Sequence, residues 1–230
     1  MSKPLSRRFG EITETWNPVT GCLHACIYCW ARKYSAKLGE LGIQPYKERG
    51  FAPTLAAWRL DKKFPKGSFV FVCDMGDLFG DWVPREWILK VLAVVEKNPR
   101  AIFFFLTKNP KRYLEFSFTE NVVLGATVET NKPYQKISKA PQPPERLDVM
   151  ARIKHRHKAL VIEPILDFDL HEFVYMIRRV KPVFVAVGYD NYGNRLPEPP
   201  LDKVEKLIDE LAGFTEVRCK TLRKAWYEEF

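Results

Sequence analysis

Five short runs of apolar, β-branched or aromatic residues punctuate the chain. They are "SFVFVCDM" from Ser68, "AIFFFLT" from Ala101, "VVLGATVE" from Val122, "ALVIEPI" from Ala159 and "PVFVAVGYD" from Pro182. A strand with one wet face alternates apolar and polar positions, so unbroken apolar runs predict strands covered on both faces. Between and after them, apolar residues recur at helical spacing. "PREWILKVLAVVEK" opens with Pro84 at the expected first helical position. "PPERLDVMARI" and "DLHEFVYMIRRV" follow, and "PLDKVEKLIDELAG" stops at Gly213. This alternation predicts a parallel sheet with crossover helices. Three weaker segments complete the pattern: "GEITETW" as a first strand, "FAPTLAAWRLDKK" as a helix inside the first crossover, and "TEVRCKTLRKAWYEEF" as a final strand and short helix. Counting the first strand gives about six β/α units, fewer than the eight of a closed barrel.

The predicted strands end alike, in small, polar or acidic residues: Asp74-Met75-Gly76-Asp77, Thr107-Lys108-Asn109, Thr127-Val128-Glu129, Glu163-Pro164 and Gly188-Tyr189-Asp190. In parallel α/β architectures these ends form the active face. The stretch "GCLHACIYCWARK" follows the first predicted strand and falls on that face, with Cys22, Cys26 and Cys29 in one short loop. Three thiolates in a C-x-x-x-C-x-x-C run can hold three corners of a [4Fe-4S] cube and leave the fourth iron open. Zinc competes, but a structural zinc site takes four protein ligands, usually as separated pairs. His24, Cys73 or Cys219 could complete one, but His24 lies inside the tight loop, and Cys219 is distant in sequence with no paired ligand. Inert buried thiols are the third reading.

Composition narrows the setting. Of 230 residues, 46% are hydrophobic and 28% charged, the balance of a globular protein with a sizeable core. The N-terminus lacks the apolar stretch of a signal peptide, and the longest apolar runs fall short of the roughly 18 residues of a membrane span. The expectation is a cytoplasmic protein with no membrane association, whose thiols stay reduced unless they bind metal or do redox chemistry. A net charge of +9 favours anionic partners, nucleic acid among them, though a solvated lysine-rich surface gives the same number.

"CLHACIYC" resembles the radical S-adenosylmethionine (SAM) signature C-x-x-x-C-x-aromatic-C, with Tyr28 at the aromatic position. "TWNPVTGC", "VCDMGDLFGDWVP", "FFFLTKNPKRY" and "LGATVET" resemble a prokaryotic and phage-associated radical SAM subfamily of poorly defined function. The resemblance implies a partial (β/α)6 TIM-type barrel and one radical SAM domain over residues 1–230, with its core at about residues 12–213 and a C-terminal extension at 214–230. It implies a [4Fe-4S] cluster on Cys22, Cys26 and Cys29, and SAM chelated to the open iron. An electron from a ferredoxin- or flavodoxin-like donor would split the sulfonium, and the 5′-deoxyadenosyl radical would abstract hydrogen from an unidentified anionic or nucleic-acid substrate. A protein partner could complete the open face.

The same resemblance assigns SAM-site residues. Tyr28 would lie against the adenine. Family members often carry a Gly-Gly-Glu-like stretch after the second strand; here Met75 replaces the first Gly and Asp77 the Glu, so Met75, Gly76 and Asp77 would hold the amino group. Thr127 and Glu129 would contact the ribose or carboxylate. Thr107 and Lys108 end the preceding strand, where Lys108 would pair with a carboxylate or an anionic substrate. Glu163, inside an apolar strand, is costly to bury unless it faces a polar cavity. Gly188 would let backbone approach the adenine. The competing function is a zinc- or iron-sulfur-containing nucleic-acid-binding module without catalysis.

Overall fold

A computed structural model describes residues 11–134 and 136–228 of the chain. The elements run β1 (Glu14–Trp16), β2 (Val19–Thr20), α1 (Trp30–Glu40), α2 (Tyr46–Arg49), β3 (Thr54–Leu55), β4 (Phe69–Val72), α3 (Arg85–Glu96), β5 (Ile102–Thr107), β6 (Val122–Thr127), α4 (Pro143–Arg152), β7 (Lys158–Ile162), α5 (Leu170–Val180), β8 (Phe184–Val187), α6 (Leu201–Ala212) and β9 (Glu216–Cys219). Seven strands form one curled parallel sheet in the order β1-β4-β5-β6-β7-β8-β9, and β2 and β3 make a separate antiparallel pair. This is the partial TIM-type barrel expected, open between β1 and β9 among the described residues.

The strands are covered on both faces because successive side chains point to opposite sides. Val70, Val72, Phe103, Phe105, Leu124, Leu160, Ile162, Val185 and Val187 join the main core. Phe69, Phe104, Val123, Ala159 and Phe184 form a second cluster, with Phe71, Leu106 and Val161 packed on it. Members of this second set (Phe69, Phe71, Phe104, Leu106, Val161 and Phe184), with Ala186, border a central cavity of about 1080 Å³. On the edge strand the residues on this side turn polar: Glu216, Arg218 and, just past β9, Lys220 also border the cavity.

The weaker expectations fare unevenly. "GEITETW" does carry the first strand, and β9 is present. "FAPTLAAWRLDKK" is not a helix: it holds β3 and a single 3-10 turn at Ala57–Arg59. Pro53 disfavours helical backbone at Ala52, and the amide of Ala56 donates to the Pro18 carbonyl at 2.8 Å, tying the segment to the loop after β1. No helix follows β9 among the described residues; the chain there is irregular apart from a turn at Trp226–Tyr227. Pro84 is the N-cap of α3 rather than its first residue. Between β5 and β6 the crossover is only a 3-10 turn, Pro110–Glu115. No helix among the described residues is long and apolar enough to cross a membrane.

Candidate active site

The cysteine loop leaves β2 at Gly21, and two glycines make that departure possible. Gly21 has φ +86°, and a Cβ on it would sit 2.4 Å from the Ala52 carbonyl oxygen. Gly76 lies against it: the Gly21 amide donates to the Met75 carbonyl at 2.9 Å, and a Cβ on Gly76 would come within 2.8 Å of the Gly21 oxygen. The turn after β4 is thus pressed onto the root of the loop. Gly76 is glycine because backbone meets backbone there.

Cys22, Cys26 and Cys29 are all free thiols, and all three border the central cavity. Each has a neutral polar neighbour. The His24 amide lies 3.5 Å from Cys22 Sγ, Ser138 Oγ lies 3.1 Å from Cys26 Sγ, and the Arg32 amide donates to Cys29 Sγ at 3.4 Å. The last contact makes Cys29 the N-cap of α1. Burial, then the Asp77 charge, pushes the Cys22 thiol well above its ordinary range. Among the described residues no three His, Cys, Asp or Glu side chains close on a point the size of a single ion.

Asp77 is the anchor of the loop. Its buried carboxylate accepts from Thr107 Oγ1 at 2.7 Å, from the Phe79 amide at 3.0 Å and from the Lys108 amide at 3.0 Å, and it pairs with His24 Nε2 at 2.9 Å. Burial opposes its ionisation, but the His24 bond and charge, with the other donors, hold it below the ordinary carboxylate value. His24 also packs edge-on against Trp82, with ring centroids 4.7 Å apart. The sequence reading set His24 aside as an awkward zinc ligand; the structure makes it the pin between the cysteine loop and the end of β4. A second brace comes from residues 136–140. The Ile27 amide donates to the Ile137 carbonyl at 3.0 Å, and the Lys139 amide to the His24 carbonyl at 2.7 Å.

Beside the loop lies a buried charge cluster. Glu129 accepts from Lys108 Nζ at 2.5 Å, from Arg146 at 2.7 Å, and from the Tyr28 hydroxyl. Lys108 Nζ also donates to the Tyr28 oxygen at 2.9 Å, and Arg146 donates to the Thr127 carbonyl at 2.8 Å. Burial alone would raise the Glu129 pKa, but Lys108 and Arg146 outweigh it and hold the carboxyl far below its ordinary value. Burial and the Glu129 charge push the Tyr28 phenol well up. One carboxylate faces two cations, so the cluster carries one positive charge in excess. The sequence reading found Tyr28, Lys108 and Glu129 but not Arg146, which reaches in from α4.

Of the other predicted site residues, Gly76, Asp77, Thr107, Lys108, Thr127, Glu163 and Tyr28 border the cavity with the three cysteines. Met75, Glu129 and Gly188 do not. The Met75 side chain is buried with Ala31 and Tyr46, and Glu129 stands behind Lys108. A Cβ on Gly188 would meet the Lys220 side chain at 2.8 Å. Thr107 is occupied at both ends, donating to Asp77 and accepting from the Asn109 amide at 2.9 Å. Burial raises the Glu163 pKa, against the pull of Lys220. Asp74, passed over as a site residue, borders the cavity too. Its carboxylate accepts from Asn17 at 2.5 Å, and burial raises its pKa.

The two depressed carboxylates set an acid limit on stability. Asp77 and Glu129 release their protons more readily in the folded chain than in the unfolded one. Their contribution is therefore fully present above the ordinary values of 3.8 and 4.5, and it is lost as pH falls below them. Urea unfolding midpoints should drop steeply between about pH 5 and pH 3. Glu129→Gln should flatten that slope, and an unchanged slope would show that Glu129 is not ionised in the folded state.

The chain matches the profile of a protein family over residues 10–178, most of its length. It belongs to the family described as Protein of unknown function (DUF5131). No curated protein matches this family member. Among solved structures, it is similar to a spore photoproduct lyase mutant with bound AdoMet and dinucleoside spore photoproduct, with a TM-score of 0.53 at 9% identity. The alignment covers 87% of this chain and 61% of that one, so the DUF5131 chain spans less than two thirds of that structure's length. At this identity the likeness is one of fold alone.

Proposed function

We propose that this chain is a radical SAM enzyme, holding a [4Fe-4S] cluster on Cys22, Cys26 and Cys29 and SAM in the adjoining cavity. One observation carries the reading. Three free thiols from a single loop border one cavity at the C-terminal ends of a curled parallel sheet, beside a buried cluster with surplus positive charge. The donor set fits a cluster, since each thiol has a polar neighbour of the kind that tunes iron-sulfur centres. The likeness to a fold with bound AdoMet supports the cofactor. The chemistry that cluster and SAM supply when bound is one-electron cleavage of the sulfonium, giving methionine and a 5′-deoxyadenosyl radical that takes hydrogen from the substrate.

The chain's own residues position and enclose. Lys108, on the cavity wall, offers its surplus charge to the SAM carboxylate. The Asp77 carboxylate already accepts four hydrogen bonds, so we assign it and His24 to holding the cysteine loop. The Met75–Gly76 turn then contributes backbone, and Asp74, hydrogen-bonded to Asn17 and bordering the cavity, contributes the carboxylate for the SAM ammonium. The Thr127 hydroxyl and Glu163 offer partners to hydroxyl or amino groups. The cavity exceeds the roughly 300–1,000 Å³ of ordinary small-ligand sites, leaving room for a substrate beside SAM. The net charge of +9 supports an anionic substrate, nucleic acid foremost.

Protein reconstituted without oxygen should hold about four irons, show an EPR signal that shifts on adding SAM, and form 5′-deoxyadenosine with a low-potential reductant. Stoichiometric zinc and no iron would overturn the reading in favour of a binding module. On cluster-loaded protein, Asp74→Asn should weaken SAM binding by about tenfold to a hundredfold, the value of one charge-assisted hydrogen bond. Equal affinity in wild type and variant would remove Asp74 from the site.

A further inference from the structure

A second cleft, of about 710 Å³, lies outside the central cavity. Its floor belongs to the core, since Trp16 and Tyr46 are buried. Its walls do not. Trp30, Tyr34 and Trp58 border it and are 38%, 48% and 60% exposed. Trp30 and Tyr34 stand four positions apart on α1, and their ring centroids are 6.3 Å apart with the planes tilted by 40°. They therefore make one continuous aromatic surface on the same helix face. Trp58 comes from the 3-10 turn at Ala57–Arg59. Packing does not account for three large rings left this bare on one cleft, and clustered exposed apolar surface marks an interaction site.

The charge around the rings has a sign. Residues 30–66, which supply most of the lining, contain nine Lys or Arg and three Asp or Glu, six of the chain's nine net positive charges. Inside the cleft, Arg59 and Lys62 are balanced by Asp61 and Asp74. Arg59 also donates to the Asn17 and Gln44 carbonyls, and Lys62 pairs with Glu14. The surplus is on the rim. Lys33 and Lys37 are exposed and follow Trp30 and Tyr34 by three positions each, on the same side of α1. Lys33 donates to the neutral side chain of Asn194 at 3.2 Å.

We infer that this cleft binds the unpaired bases of a single-stranded nucleic acid. Ring faces stack with any base, and cations along the rim follow the phosphates between them. The cleft adjoins the chemistry: Trp30 and Asp74 border both it and the central cavity, and Trp30 directly follows Cys29. A strand with one nucleotide in the cavity can lay its neighbours on Trp30, Tyr34 and Trp58. The inference rests on the nucleic-acid substrate read above and adds to it a strand form and a second contact surface. A duplex covers its base faces by its own stacking and gains nothing from the rings. A second copy of this chain would bring the same surplus cations against these, which like-charge repulsion opposes.

The test uses full-length protein after iron reconstitution, with labelled oligothymidylate and oligouridylate of about 12 nucleotides, within the span of a single-strand site. Fluorescence anisotropy should show binding that weakens steeply with salt, and the tighter probe tells DNA from RNA. Oligothymidylate annealed to oligoadenylate should bind at least about tenfold more weakly than the single strand. Trp58→Ala and Tyr34→Ala should each cost about tenfold, whereas Tyr34→Phe, which keeps the ring, should cost less than about threefold. Lys33→Glu with Lys37→Glu should weaken binding and flatten its salt dependence. Tyr175→Ala, at another bare tyrosine on α5 outside the cleft, should change nothing. Melting curves establish that the variants are folded. Single-strand binding untouched by Trp58→Ala and Tyr34→Ala overturns the cleft and leaves a nucleic-acid substrate standing. No binding of either probe, with 5′-deoxyadenosine still formed, overturns the cleft and that substrate class together. Ring-dependent binding by protein that neither loads iron nor cleaves SAM supports the cleft and overturns the cofactor reading instead. Dimerisation abolished by Trp58→Ala, with neither probe bound, would reassign the face to a second copy of the chain.

Discussion

Replacing Cys22, Cys26 and Cys29 together with alanine is expected to remove all bound iron and reduce 5′-deoxyadenosine formation to background. The fold should survive. The loop is held by Asp77 through His24, by the backbone of residues 137–139, and by the Gly21–Gly76 contact, none of which uses a thiol. Circular dichroism should therefore match the parent, with some weakening at the start of α1, where Cys29 accepts the Arg32 amide. Loss of a cap contact of this kind costs about 0.5–2 kcal/mol. Single substitutions should each impair iron loading, because a cube cannot spare one of three protein corners. SAM cleavage persisting in the triple variant would refute the assigned chemistry.

The second large effect concerns stability. Glu129→Gln removes the one carboxylate between Lys108 and Arg146, and Arg146 is almost wholly buried. An uncompensated buried charge costs about 3–5 kcal/mol, a large part of the roughly 5–15 kcal/mol that holds a domain together. Denaturant unfolding should show a loss of that order. Adding Arg146→Met should recover part of it, because the stranded cation is then gone. A loss below about 1 kcal/mol, the range of an exposed pair, would mean that water reaches the cluster. The same cluster sets Lys108 on the cavity wall, so Glu129→Gln should also loosen SAM binding.

Much of this was legible in the chain itself. The five apolar runs are strands because burial on both faces leaves a signature that needs no partner to read. The cysteine spacing marks one loop because its thiols are neighbours in sequence. What stayed hidden depends on residues far apart. Arg146 meets Glu129 only after α4 packs against β6, and nothing in "PPERLDVMARI" marks the first of its two arginines as the buried one. His24 was weighed against its neighbours in the loop, yet its partner is Asp77, 53 positions away. Helix α1 was missed because its cap is a cysteine rather than the usual Ser, Thr, Asp or Asn. "FAPTLAAWRLDKK" has apolar residues at helical spacing, but Pro53 and the bond to Pro18 win locally.

The open side of the half-barrel bears on how the molecule behaves in company. Among the described residues β1 and β9 each pair on one side only. An unpaired strand edge is a template on which another chain can add itself. Here β1 is three residues long, and β9 is four residues with Glu216 and Arg218 turned toward the hollow and Lys220 just beyond. Short edges with inward-pointing charges are poor templates, since a strand laid against them would bury those charges. Neutralising this edge, as in Arg218→Val with Lys220→Val, would trade a guarded seam for a sticky one, and the cost would surface as aggregation rather than as a lower melting temperature.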